Sequence, residues 1–385
     1  MSGWRHPLHG LPFDEPVANA LAAEYGELPL GRRVQAWRKV GSRELALLLT
    51  GQARHRVDRV PAECRHVLWV YSWSTVGDAV MDLSARALLP EGVSLDLLIA
   101  PHLAPLFAED ARVRAVHTET ATVPADIDFV LLDHLGTQPL RLKQRWFPAL
   151  PFASMRGHQI GERFDRTAWA DRRLRQLYSL PMGLVLHPRL PFKRPRAGRA
   201  SGRYCDSCRI AVPLGARVAA KRYAHWDAVL RTLVTRWPVG APRPHFLLLG
   251  QGDAARADLA LLGGDLIEGH CTSAIDSGDL AKTARDLAGC DAFLGVDGGL
   301  MHVAVGVGTP GLALFARVDP AYFLQPDSTM QALCSAGEVS ALHPEAVAAA
   351  FLATLPVGLS RRGVSPVAVP AAPLRQPAPP VAKSR

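Results

Sequence analysis

Three short clusters in this 385-residue chain combine glycines with a carboxylate, a cation or a histidine at spacings suited to phosphate chemistry. The first is Asp297-Gly298-Gly299-Leu300, with His302 two residues on. It follows the apolar run Ala292–Val296, too short for a helix and suited to a parallel strand buried on both faces. The glycines let backbone approach a ligand, and a helix starting near Leu300 would point unpaired N–H groups at an anion. An ordinary βαβ crossover has the same outline, and a lone histidine such as His302 is most often structural. The second cluster is Gly77-Asp78, at the turn Trp73–Asp78 after the apolar run His66–Ser72. A carboxylate there can cap a helix or act as a general base facing a cleft, with Asp82 one turn later as the fallback. The third is Gly215 with Lys221, after the run Arg209–Leu214; Lys221 is either a point charge for a departing phosphate or one of 44 Lys and Arg residues in solvent.

All three clusters follow strand-like runs within an alternation of strands and helices. In the first half the apolar runs are His66–Ser72, Leu95–Ala100, Val113–His117 and Ile127–Asp133, with a helix from about Ala79 to Leu89. In the second they are Arg209–Leu214, Phe246–Gly250, Ala292–Val296 and Leu312–Phe315. Helices are expected up to about Arg236, over Ala254–Leu262, then past Asp265–Gly269 over Ser277–Ala288, and near His343–Leu355. This order predicts an α/β fold with doubly wound sheets. Boundaries follow from the same pattern: an N-terminal extension over 1–63 with helices near Pro16–Tyr25 and Leu30–Gly51, a first domain over 64–185 holding a helix Arg166–Tyr178, and a basic, proline-rich linker over 186–208. A second domain over 209–355 and a disordered Pro/Ala-rich tail over 356–385 complete the chain.

The sequence D-x-G-x-x-H-x-A from Asp297 to Ala304, then Gly308-Thr309-Pro310, Leu312–Phe315 and Asp319-Pro320, resembles the C-terminal signature of glycosyltransferase family 9, the heptosyltransferases of bacterial lipopolysaccharide synthesis. Gly77-Asp78 and the G-A-x(4)-K-R-aromatic stretch from Gly215 to Tyr223 are similar to two further segments of that family. Two departures stand out: Gly298 where the family usually has Ser or Thr, and Ala316-Arg317-Val318 in place of Gly-Pro-Thr. The resemblance implies a GT-B architecture, two Rossmann-like domains facing a cleft, the first for the acceptor and the second for a nucleoside-diphosphate sugar, ADP-heptose by family. It further implies inverting, metal-independent transfer with no cofactor: Asp78 as base, and Gly215, Lys221, Asp297, Gly298, Gly299, Leu300 and His302 around the donor.

Composition narrows the rest. Hydrophobic residues make up 48% of the chain, enough for two cores, with no apolar run long enough to span a membrane and no signal-like start, so a cytoplasmic protein is expected. The formal charge of +9 is concentrated between Arg141 and Arg222, and the run Lys193–Arg199 is broken by Pro and Gly. No nucleic-acid motif accompanies it; a phosphorylated lipid glycan at the inner membrane face is the better match for such charge. Six dispersed cysteines suit reduced thiols. Cys205-Asp206-Ser207-Cys208 is half of a metal-binding pattern without a second pair, so no metal is expected. A non-catalytic nucleotide-sugar-binding protein and another GT-B enzyme, such as a nucleotide-sugar epimerase, are the alternative functions.

Overall fold

The computed structural model describes residues 29–157, 165–193 and 207–355. The expected helix at 16–25, most of the basic linker, Cys205 and the Pro/Ala-rich tail lie outside the described residues. Helix α1 (Leu30–Leu49) is the first element among the described residues. A first domain follows, with β1 (His66–Val70), α2 (Val76–Asp82), β2 (Ser94–Leu98), β3 (Ala115–His117), β4 (Phe129–Leu132), α3 (Thr137–Trp146), β5 (Phe152–Ser154) and α4 (Arg166–Leu177). The second domain comprises β6 (Ser207–Pro213), α5 (Trp226–Arg236), β7 (Arg243–Leu249), α6 (Gly252–Leu259), α7 (Gly264–His270), β8 (Cys271–Ser273) and α8 (Leu280–Ala288). It closes with β9 (Ala292–Val296), α9 (Gly299–Val307), β10 (Gly311–Ala316), β11 (Met330–Ser335) and α10 (Pro344–Thr354).

Both sheets are wholly parallel, ordered β3-β2-β1-β4-β5 and β11-β10-β9-β6-β7-β8. Their central strands are apolar throughout because helices cover both faces: every residue of β9 and of β10 is buried. Strand order reverses between β1 and β4 in one sheet and between β6 and β9 in the other. Those reversals open crevices at the carboxyl ends of the strands, the places where doubly wound sheets take ligands. The GT-B arrangement of two Rossmann-like domains is therefore observed. One apolar cluster joins the domains, running from Val80 and Leu83 through Leu190 and Phe192 to Met301, Val303 and Ala304. The backbone N–H of Leu190 also donates to Gly306 O at 2.8 Å.

Several elements differ from the sequence reading. The helix expected over 79–89 is α-helical only to Asp82 and then tightens into a 3-10 turn over Leu83–Leu88, ahead of Pro90. The stretch 265–269 is itself helical, and the strand follows at Cys271–Ser273. Helix α8 starts at Leu280 rather than Ser277, because Gly278 has a left-handed φ of 71° and Asp279 caps the N–H of Ala281. α3, β5 and β11 carry no clear periodic signal; β11 lies at the sheet edge and is buried only at its two ends.

Candidate active site

The crevices of the two sheets meet in one cleft of about 670 Å³. Its walls come from four turns: Ser74–Gly77 after β1, Leu214–Val218 with Lys221 after β6, Gly250–Ala254 after β7, and Asp297–Met301 after β9. Ser277–Leu280, before α8, closes one rim. Of the sequence-predicted donor residues, Gly215, Lys221, Asp297, Gly298, Gly299 and Leu300 all line this cleft.

The turn after β9 is built from extended backbone. Gly298, at φ −175°, precedes α9 with no side-chain cap, so the first N–H groups of the helix face the cleft without a hydroxyl between them. Asp297, buried at 3% exposure, accepts a short hydrogen bond from Lys221 Nζ. A buried carboxylate needs such a partner. Gly215 supplies a left-handed turn (φ 76°); a Cβ there would stand 2.7 Å from the backbone nitrogen of Ala255, and its own N–H donates to Asp258 at 2.8 Å. The altered residues 316–318 do not line the cleft: Ala316 is buried in the second core and Arg317 is exposed with φ 53°.

Asp78 sits in the first turn of α2, immediately behind the lining residue Gly77. Thr75 Oγ1 donates to its Oδ2 at 2.5 Å, and Arg166 Nε stands 3.4 Å from its Oδ1. Asp82, the fallback carboxylate, lies in a closed network instead of on the cleft surface. It is buried, takes hydrogen bonds from Arg156, from Arg166 at 2.6 Å and from Tyr71 Oη at 3.1 Å, and its lone pairs are committed to that network. Arg166 thereby links the two carboxylates, while its guanidinium lies 5.7 Å from the centre of the Trp73 ring.

His302 lies deeper than the cleft surface, fully buried one turn into α9, with the Phe323 ring at 5.7 Å edge-on. Burial pushes its pKa down to about 4, against the opposing pull of Asp297 and Asp78, so the imidazole is neutral near pH 7. It sits where the two domains touch. A Cβ on Gly77 would meet its Cδ2 at 2.5 Å, and one on Gly299 would meet Val76 Cβ at 3.1 Å. The Thr75–Asp78–Arg166–Asp82 network carries no sequence signal: Arg166 lies far along the chain with no motif around it. A further interdomain link, Gln325 Nε2 donating to Asp165 at 2.5 Å, carried no sequence signal. Among the described residues no group of three or more His, Cys, Asp or Glu side chains could hold a metal ion.

Residues 205–344 match the family model for glycosyltransferase family 9 (heptosyltransferase), in agreement with the resemblance read from the motifs. No curated protein matches the sequence. Among solved structures, a glycosyl transferase family 9 protein from Veillonella parvula superposes with TM-score 0.58 at 13% identity, over 74% of this chain and 94% of that one. The ADP-heptose lps heptosyltransferase II of E. coli gives TM-score 0.58 at 19% identity, covering 75% and 98%. The E. coli heptosyltransferase WaaC with ADP gives 0.53 at 17%, covering 73% and 95%.

Proposed function

We propose that this heptosyltransferase-like GT-B chain is an inverting glycosyltransferase that moves a sugar, heptose by family, from a nucleoside diphosphate to a cell-surface glycan of the lipopolysaccharide type. The observation that carries the reading is the meeting of the Ser74–Gly77 turn, which leads directly into Asp78, with the Asp297–Leu300 turn across one cleft, each at the reversal point of its own sheet. The structurally similar WaaC is a complex with ADP in one case and with an ADP-2-deoxy-2-fluoro heptose in another, which supports ADP-heptose as the donor to try first.

In this reading the diphosphate lies against the N–H groups of Gly299 and Leu300, with Gly215 allowing close backbone approach on the facing turn. Lys221 turns from Asp297 to the leaving phosphate oxygens, and Asp297 is then available to donor hydroxyls. Asp78, held by Thr75 and Arg166, takes the proton of the acceptor hydroxyl as that oxygen attacks the anomeric carbon and the nucleoside diphosphate departs. Fixed donors and one cation carry the developing negative charge, a division of labour that requires no divalent cation. His302, neutral and buried, backs the donor turn rather than touching the acceptor.

The test is thermal shift with ADP-, UDP- and GDP-sugars, followed by nucleoside-diphosphate release with and without a lipopolysaccharide-core acceptor, in the presence of EDTA. A ligand at a hundred times its Kd adds about 2.7 kcal/mol of stability, a shift that is easily read. Acceptor-dependent release is expected. Stabilisation by a sugar nucleotide with no release under any acceptor would instead mark a non-catalytic binder.

A further inference from the structure

Helix α1 (Leu30–Leu49) plays no part in the cleft, and its exposed surface is unlike that of the other helices. Leu30, Val34, Trp37, Leu45, Leu48 and Leu49 are between 51% and 79% exposed. The first five recur at intervals that keep them on one side of an α-helix, making an apolar stripe along roughly 30 Å of its length. The same twenty residues hold Arg32, Arg33, Arg38, Lys39 and Arg43 against a single carboxylate, Glu44, which is paired with Arg56 at 2.6 Å. The helix is tied to the first domain near its end, where Leu47 joins the cluster of Leu68, Val70, Leu98 and Phe152 on one face of the sheet. With five cations it is too charged to cross a bilayer, and no described helix is long and apolar enough to do so.

An amphipathic helix with Trp and Leu on one side and Lys and Arg on the others is built to lie in the plane of an anionic lipid surface. We propose that α1 is such an interfacial helix: its apolar stripe enters the headgroup boundary of an anionic bilayer, and its basic residues pair with lipid phosphates. Charge complementarity selects this occupant. A second copy of the helix would bring five cations against five, and a nucleic acid would leave the Trp37–Leu48 stripe in water. The inference does not rest on the proposed transferase activity.

The test uses the full chain and its Trp37→Ser/Leu45→Ser/Leu48→Ser variant, sedimented with vesicles of phosphatidylcholine alone or mixed with phosphatidylglycerol. The expected result is binding to the anionic vesicles only, weakened by added salt, with a partition coefficient more than roughly tenfold lower for the variant. Equal binding of variant and wild type, or no binding of either, overturns the proposal. So does a lipid-free dimer, seen by light scattering, that the variant abolishes, or a marked loss of thermal stability in the variant without vesicles, which would show that the chain itself covers the stripe.

Discussion

Gly77 of the first domain approaches His302 of the second so closely that a methyl group on Gly77 would stand 2.5 Å from the imidazole Cδ2. The glycine before Asp78 is thus explained by the opposite domain rather than by its own turn. Gly77→Ala forces α2 and α9 apart. Overpacking of this kind costs about 1–3 kcal/mol, and misplacing the base by an ångström costs roughly a hundredfold in turnover. Pairing it with His302→Ala should restore part of both losses; a Gly77→Ala protein with wild-type turnover and melting temperature would show that the seam yields freely.

Asp78→Asn keeps the side-chain shape and its bond from Thr75 but cannot accept the acceptor proton. Turnover is expected to fall roughly 10²- to 10⁴-fold while donor affinity by calorimetry stays near wild type. An equal loss in donor binding would place Asp78 in the donor site instead.

Lys221 and Asp297 are expected to act as a unit. Lys221→Met leaves a buried carboxylate without its cation and removes the charge that meets the diphosphate, so turnover should drop by roughly a hundredfold. The Lys221→Met/Asp297→Asn double variant should lose less than the sum of the single losses, because the two share one interaction. Full additivity in the double-mutant cycle would mean that the pair has no common role.

The buried His302 makes stability depend on pH. Its pKa is about 4 in the folded chain and near 6.5 when unfolded, so the unfolded state binds the extra proton across that window. The neutral-pH contribution is therefore complete above pH 6.5 and lost as pH falls toward 4, by roughly 3 kcal/mol. Urea unfolding from pH 7 to pH 4 should show this slope, and His302→Gln should flatten it.

Gly298 lies in extended backbone that any residue adopts, and a Cβ there would meet nothing nearer than Val296 O at 3.9 Å. Gly298→Ser is expected to restore a helix cap worth a few tenths of a kcal/mol, with donor binding retained. Lost donor affinity would show that the cleft needs the bare backbone at this turn.

The sheets and the turn after β9 were legible because their signals are local. Buried parallel strands read as apolar runs, and Asp297-Gly298-Gly299 and Gly215 mark turns by residue type. Gly77 was legible as part of a motif but not its reason, since His302 stands 225 positions later in the chain. The network of Arg156 and Arg166 around Asp82 stayed hidden for the same cause: only the folded chain shows that this carboxylate is used up. The edge strand Met330–Ser335 and the short β5 escaped because partial exposure or brevity blurs their pattern.

The seam at Gly77, Gly299, Val76 and His302 has one more consequence. With the Gly77 backbone against the His302 ring and the Gly299 backbone against Val76 Cβ, the distance from Asp78 to the Asp297–Leu300 turn is set where the two domains touch. The cleft's rims, with Ser74 on one side and Ser277 on the other, stand apart from that seam. If the proposed transferase function holds, substitution at such edges would change which sugars are accepted without rebuilding the seam itself.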